Sequence, residues 1–285
     1  MGTFISQLIN GLNQSSILLI ATMGLVIIFG YMNVTNMAHG SMIMLGGVSA
    51  FILMEVLHLP FGLALIGCFI ITGIIGMITE KLLIKRLYSK PTETILATYA
   101  LSIILTELVR IKYALSQNVH MPLPGAFHIG RVTIPYYNIF ILVFSLAVLS
   151  LTLLFFRKTT FGKMLGSVTQ NRTMTECLGI KISTIDTLTF GYGAGLAGVS
   201  GCVLAPTTGV SYDMGSTYLT DTFMTNVVGG IQSFAGTAIS SGIIGEGRTI
   251  TAGFLNETWA KIIIFMIVIV LIRFRPEGLF TKERR

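Results

Sequence analysis

The chain has 285 residues, of which 53% are hydrophobic and only 11% charged. A soluble domain usually carries about 25% charged residues, and a soluble protein of this length has no interior large enough to hide so much apolar surface, so lipid must be the solvent for much of it. The formal net charge of +7 would suggest nucleic acid in a soluble protein, but the basic residues sit in short stretches between apolar runs, where they act as orientation signals in a membrane and not as a nucleic-acid surface.

A hydrocarbon core about 30 Å thick needs roughly 20 apolar residues per helix. In chain order the sequence predicts spans at 6–30, 36–57, 61–84, 94–111, 136–156 and 185–206. Beyond them the pattern turns irregular. Two short segments, 218–231 and 235–245, are joined by "GGIQSFAG", and an apolar run from Trp259 to Arg273 comes last. The expected fold is an all-α integral membrane protein. It forms one polytopic helical bundle over 1–285, with about eight spans, some broken or re-entrant.

Three basic clusters orient the bundle: Lys81, Lys85, Arg86 and Lys90; Arg157, Lys158, Lys163, Arg172 and Lys181; and Arg273, Arg275, Lys282, Arg284 and Arg285. Each should face the cytoplasm. Three spans before the first cluster then put the N-terminus outside. The stretch 112–135, with Pro122, Pro124 and Pro135, becomes an outer loop. The third cluster fits only if 218–245 crosses an even number of times or re-enters. Two half-length segments meeting at glycines satisfy that condition.

Unwound backbone at membrane depth survives only where protein buries it or where it lines a wet cavity. The broken stretch 218–245 is therefore a first pointer to a solute path. A second is "NVTNMAHGSMIMLGG", residues 33–47, which sets Asn33, Thr35, Asn36 and His39 at the head of the second span. His39 is an ionisable group inside the membrane, where such groups are costly and tend to serve function. Asn33 and Asn36 either hydrogen-bond a small amide or cap the span. Asp221 opens the first short segment, where a helix cap is the competing reading. Thr225, Asn226 and Gln232 offer donors and acceptors to a neutral polar solute or to neighbouring helices. Both stretches run into a glycine pair, Gly46–Gly47 and Gly229–Gly230, a faint trace of an internal repeat.

The polar block "GSVTQNRTMTECLGIKI", Gly166 to Ile182, lies within a loop at about 157–184 that is too long for a simple connector. Leu165, Val168, Met174 and Leu178 give it a partial apolar face, while Lys163, Arg172 and Glu176 point elsewhere. Such a helix lies on the membrane surface, docks in a partner's groove, or is a solvated connector. Arg172 and Glu176 are spaced to pair with each other. No catalytic constellation appears, so an enzyme is not expected. Cys68, Cys177 and Cys202 have no metal or disulfide spacing, and there is no G-x-x-x-x-G-K-[ST] phosphate loop. The glycines of "GYGAGLAGVSG" fall within an apolar span and read as helix-packing positions.

At the polar block the chain resembles a known family. "TTFGKMLGSVTQNRTMTECLGIKISTIDTLTFGYGAGLAGVSG", residues 159–201, is similar to the permeases of the branched-chain amino acid ATP-binding cassette (ABC) importers, the LivH/LivM family. "FGYMNVTNMAHGSMIMLGG", "VVGGIQSFAGT" and "IRFRPEGLF" agree, and the resemblance covers nearly the whole chain. Within the family, "VTQNR", "YLTDTF" and "RPEGLF" look most like the urea-importing branch, the UrtB type. The resemblance implies a multi-pass permease of the bacterial cytoplasmic membrane, carrying urea or short amides, or alternatively branched-chain amino acids. It implies a second, different permease, two ATPase subunits that bind and hydrolyse the ATP, and an extracytoplasmic solute-binding protein. No cofactor is expected on this chain. The loop at 157–184 would be the element that fits the ATPase, with Lys163, Arg172, Glu176, Leu178 and Gly179 as its contact residues. The chain departs from the family in having Ser41 where the urea branch carries an acidic residue. It also keeps only Glu176 and Gly179 of the "EAA…G" signature of other ABC importers.

Overall fold

The structure is a computed structural model that describes residues 2–88, 90–129, 132–275 and 278–280. Its described residues form eleven α-helices and one short hairpin. The helices are α1 (Gly2–Leu25), α2 (His39–Phe51), α3 (Phe61–Leu82), α4 (Pro91–Lys112), α5 (Tyr136–Lys158), α6 (Thr160–Gln170), α7 (Arg172–Cys177), α8 (Ile182–Thr208), α9 (Met214–Gly229), α10 (Phe234–Phe254) and α11 (Glu257–Phe274). α1 and α2 each run on into a π-helical turn, Val26–Tyr31 and Ile52–Val56. Among the described residues, six segments are long and apolar enough to cross a membrane: Ser6–Tyr31, His39–Val56, Phe61–Arg86, Pro91–Lys112, Tyr136–Lys158 and Ile182–Thr208. The fold is all-α and membrane-embedded, as the apolar runs predict.

The bundle has a centre and a rim. α1, α2 and α8 are mostly buried, whereas α3, α4 and α5 show outward faces of Leu, Ile and Val. Lipid satisfies such faces, so they need no protein partner. At the centre the helices meet through glycines. A β-carbon at Gly46 or Gly201 would fall on the backbone of the facing helix, at Gly198 and Ile43 respectively, and one at Gly193 would lie 2.7 Å from the Gly24 carbonyl. Residues of "GYGAGLAGVSG" therefore serve close packing of α8 on α1, α2 and α3.

Contacts assign the two ends. At one end Tyr31 stacks on Phe156 and lies against Phe234, and its carbonyl accepts the Thr169 hydroxyl at 3.2 Å. That end carries Lys81, Lys85, Arg86, Lys90, Arg157, Lys158, Lys163, Arg172 and Lys181, together with Arg273 and Arg275 at the close of α11. At the opposite end Gln117 and Val210 exchange two backbone hydrogen bonds of 2.8 Å, and Glu55 accepts the His120 N–H at 2.7 Å. There the loop after α4 folds into an antiparallel hairpin, β1 (Ala126–Ile129) with β2 (Val132–Pro135), which the proline-rich pattern did not reveal. Lys282, Arg284 and Arg285 of the third basic cluster lie outside the described residues, as do Pro276 and Glu277 of "RPEGLF".

Two expectations are corrected. The segment 235–245 is not half-length: α10 has 21 residues, about 31 Å at 1.5 Å per residue, while α9 has 16. Glu246 and Arg248 broke its apolar run in the sequence without breaking the helix. Second, the glycines between them do not meet at membrane depth. Gly230 takes φ +93° in a tight turn at the basic end, where the Leu279 N–H reaches the Val228 carbonyl at 2.8 Å. α10 and the shorter α9, about 24 Å long and starting with Gly215 against Gly40 at the head of α2, thus run in opposite directions, which returns the chain to the basic end between them. Gly46–Gly47, by contrast, lies inside α2, so the two glycine pairs play unlike parts and support no repeat.

A labelling experiment checks the orientation. Cys177 is exposed at the basic end, whereas Cys68 and Cys202 are buried. In intact cells an impermeant thiol reagent added outside should leave Cys177 unmodified and should label a Ser116→Cys variant of Cys177→Ser protein. Labelling of Cys177 from outside would invert the orientation.

Candidate functional site

The irregular backbone lies between α1 and α2. α1 reaches the basic end at Tyr31. Residues 33–38 then leave helical geometry, with Asn33 at φ +55°, in the left-handed region that non-glycine residues rarely enter. The chain turns back into the bundle. His39 Nε2 lies 2.9 Å from the carbonyl of Ala21, ten residues before Tyr31 and so about 15 Å from it along the helix. A carbonyl only accepts, so Nε2 holds the proton and Nδ1 faces the interior as an acceptor with no partner. Asn36 does not cap the second helix, whose N-cap, Ala38, has no side-chain cap; it closes a local turn ahead of it, its Oδ1 accepting the Ala38 N–H at 3.0 Å, while its Nδ2 is buried and unpartnered. The Met37 N–H is taken by Thr98 Oγ1 of α4 at 3.1 Å.

The other predicted path residues divide. Asn226 is fully buried on α9 with both side-chain polar atoms unpartnered, and Thr22 on α1 has a buried hydroxyl in the same condition. A buried amide with no partner costs about 1–3 kcal/mol, so these groups, with Asn36 and His39, are where water or a polar solute is called for. Thr225 is buried but spends its hydroxyl on the Asp221 carbonyl at 2.7 Å. Thr35 is half-buried, Asn33 exposed. Gln232 is exposed in the turn at the basic end and does not lie at membrane depth. Asp221 does not open or cap a helix. It is the eighth residue of α9, buried, and ion-paired with Arg248 of α10, whose other nitrogen donates to Glu257 Oε1 at 2.5 Å. The sequence hid this because Arg248 follows Asp221 by 27 positions.

At the basic end, α6 and α7 are set by their caps. Thr159 Oγ1 accepts the Gly162 N–H at 3.2 Å, and Asn171 Oδ1 accepts the Met174 N–H at 2.9 Å. Gly179 stops the block at φ +79°, the left-handed helix-end conformation that glycine takes without strain. The expected apolar face splits in two. Leu165 and Val168 are buried against Phe156, Phe161, Ile182 and Ile185. Met174 and Leu178 remain 62% and 70% exposed, flanked by exposed Glu176 and Cys177, and Lys163 is exposed on α6.

Arg172 does not pair with Glu176. It pairs with buried Asp186 on the first turns of α8, and its guanidinium lies 4.9 Å from the centre of the Tyr88 ring. Tyr88 donates at 3.1 Å to Glu80, a fully buried carboxylate of α3, which also accepts the Thr187 hydroxyl at 2.6 Å. Burial pushes the Tyr88 phenol up, so it stays a neutral donor. Glu80, Tyr88, Asp186 and Thr187 escaped the sequence reading because they come from three separate stretches. An acidic residue inside each of two apolar spans was the available signal. Among the described residues, no three His, Cys, Asp or Glu side chains gather in a metal-binding group.

The family model described as "Branched-chain amino acid transport system / permease component" matches residues 7–272. The high-affinity branched-chain amino acid transport system permease protein BraD of Pseudomonas aeruginosa is 27% identical, covering 98% of this chain and 96% of its own. The LivH proteins of Salmonella typhimurium and Escherichia coli are 26% and 25% identical over the same shares. The probable LivH of Methanocaldococcus jannaschii is 24% identical over 93% of this chain and 89% of its own. No solved structure matches. All these relatives are named as transport permeases, not enzymes. A match running from α1 into α11, over a bundle of several apolar crossings, makes this chain a multi-pass membrane protein of the branched-chain amino acid transport system permease family.

Proposed function

We propose that the chain is a transmembrane subunit of an ATP-driven importer in the bacterial cytoplasmic membrane. On this reading it forms one side of the translocation path, and a related permease forms the other. The ATP is bound by separate ATPase subunits, and a solute-binding protein delivers cargo to the outer end. The observation that carries the reading is the exposed pair at the basic end, Met174 on the short helix α7 and Leu178 just past its end. Apolar groups facing water call for a protein partner, and α7 is held firmly enough by Arg172 to move with the bundle. Glu176, Gly179 and Lys163 fall within or beside this surface. Asn36, His39 and Asn226 are the path groups with unmet hydrogen bonds. Asn33, Thr35 and Thr225 flank them.

The names of the relatives favour a branched-chain amino acid as cargo. A second reading, urea or a short amide, is favoured by one feature of the path. The unpartnered groups of Thr22, Asn36, His39 and Asn226 are amides, an imidazole nitrogen and a hydroxyl, and the predicted path acid Asp221 is matched by Arg248. Burying either charge of an amino acid without a counter-charge or water is expensive. Uptake of labelled leucine and labelled urea in urease-free cells expressing the chain with its neighbouring transport genes separates the two. ATP-dependent leucine uptake that excess urea leaves unchanged fits the first reading. Saturable urea uptake indifferent to leucine fits the second. No energy-dependent uptake of either would reject both.

A further inference from the structure

Buried charge at the basic end has a layout that packing alone does not require. Glu80 of α3 and Asp186 of α8 are both withdrawn from solvent; the guanidinium of Arg172 pairs with Asp186, while Glu80 is held by Tyr88 and Thr187. Arg172 belongs to neither helix. It comes from the first turn of α7, the surface helix where Met174 and, just past its end, Leu178 are free. Its planar head lies between the Tyr88 ring, on the link from α3 to α4, and the carboxylate of Asp186. Behind it Tyr88 and Thr187 both donate to Glu80, so α3, the α3–α4 link, α7 and α8 are joined in one continuous polar network. Otherwise α7 is lightly held: Thr175 is its one buried residue. Apart from the chain itself, which joins α7 to α6 at Asn171 and to α8 through 178–181, a push on α7 reaches the core through Arg172. The helix it reaches, α8, packs by glycines on α1, α2 and α3, where there is little slack to absorb a displacement.

Resting on the permease reading above, the geometry points to Arg172 as a positioning residue that transmits movement of the ATPase-docking helix to α8, with Asp186, Tyr88 and Glu80 as its socket. An arginine suits this place because its flat, delocalised head stacks on an aromatic ring and pairs with a carboxylate at once; a lysine ammonium makes only the ionic half of that contact well. Breaking a buried pair from one side leaves a stranded charge, so the arginine and its partner should be tested separately.

The test uses the whole importer reconstituted in vesicles, with solute uptake and ATP hydrolysis measured on the same preparation. In Arg172→Gln and Asp186→Asn, uptake should fall about tenfold or more, on the scale of coupling between linked sites. In Asp186→Asn, whose side chain is buried away from the docking surface, ATP hydrolysis and ATPase co-purification should stay near wild type, so solute moved per ATP drops. Arg172→Lys should recover part of that ratio. Tyr88→Leu, which removes the ring and the Glu80 donor without stranding the arginine's ionic partner, should lower the ratio while leaving protein yield intact. Uptake and hydrolysis falling together with loss of the ATPase would make the network a structural brace only and overturn the proposal, as would an unchanged ratio in all four variants. A wild-type complex that neither retains an ATPase nor shows ATP-dependent uptake would instead reject the permease reading itself.

Discussion

Gly201→Ala is expected to eliminate monodisperse folded protein in mild detergent, while Gly242→Ala leaves yield and melting temperature unchanged or slightly raised. Both glycines lie inside helices, and both substitutions improve helix propensity by about 1 kcal/mol. They differ in what the new methyl group meets. At Gly201 it falls on the Ile43 carbonyl of α2 and lies 2.8 Å from the Gly47 nitrogen, both backbone atoms of a helix that cannot rotate away. At Gly242 there is nothing within 4 Å. Forcing an extra carbon into a packed core usually costs about 1–3 kcal/mol, and contact with backbone leaves no side chain to relax. Separating α2 from α8 would also displace Gly46 from Gly198, so the loss spreads along the seam. Size-exclusion profiles of the two variants, purified in parallel, decide the matter. A normal Gly201→Ala profile would mean that α2 and α8 do not meet as described.

The double variant Glu176→Lys with Leu178→Asp should abolish uptake while the protein still inserts and keeps its melting temperature. Both side chains are exposed, so the folded chain loses little by the change. A partner seated there would lose an apolar anchor and meet inverted charge. Two hot-spot losses of about 2 kcal/mol each would weaken the contact roughly a thousandfold. The comparison variant is Leu165→Asp, which faces Phe156 and Phe161 and should instead destroy the fold of the block. Co-purification of the ATPase with each variant is the measurement. Retention as strong as in wild type by the double variant would return α7 to being a plain connector.

The apolar periods alone gave the spans to within a few residues, because a membrane helix must satisfy every backbone group within itself and therefore announces its length. Asn36 and His39 stood out as polar residues at the head of an apolar run; the structure buries both and gives each one local bond and one unpartnered atom. The failures share a cause as well. Asp221, Arg248 and Glu257 form one cluster from α9, α10 and α11, and in the sequence each only weakened an apolar signal. Reading them singly shortened α10 and set Asp221 at the opening of a short segment, as a path group or a cap. Arg172 was assigned to Glu176 because four residues along a helix is the nearest opposite charge a sequence can offer. The structure brings Asp186 in from across the turn, and burial gives that longer link the advantage over a solvated pair.

The turn between α9 and α10 carries a consequence for biosynthesis. Its outer bond comes from Leu279, and Gly278, at φ +87°, packs against Gly230. These partners follow the turn by some fifty positions, with all of α10 and α11 between. Chains emerge from the ribosome at about 5–20 residues per second, so α9 and α10 stand in the bilayer for seconds before the piece that locks their hairpin exists. The basic end of the bundle is therefore closed last, and a chain truncated before Gly278 should be inserted and helical but still open at that end.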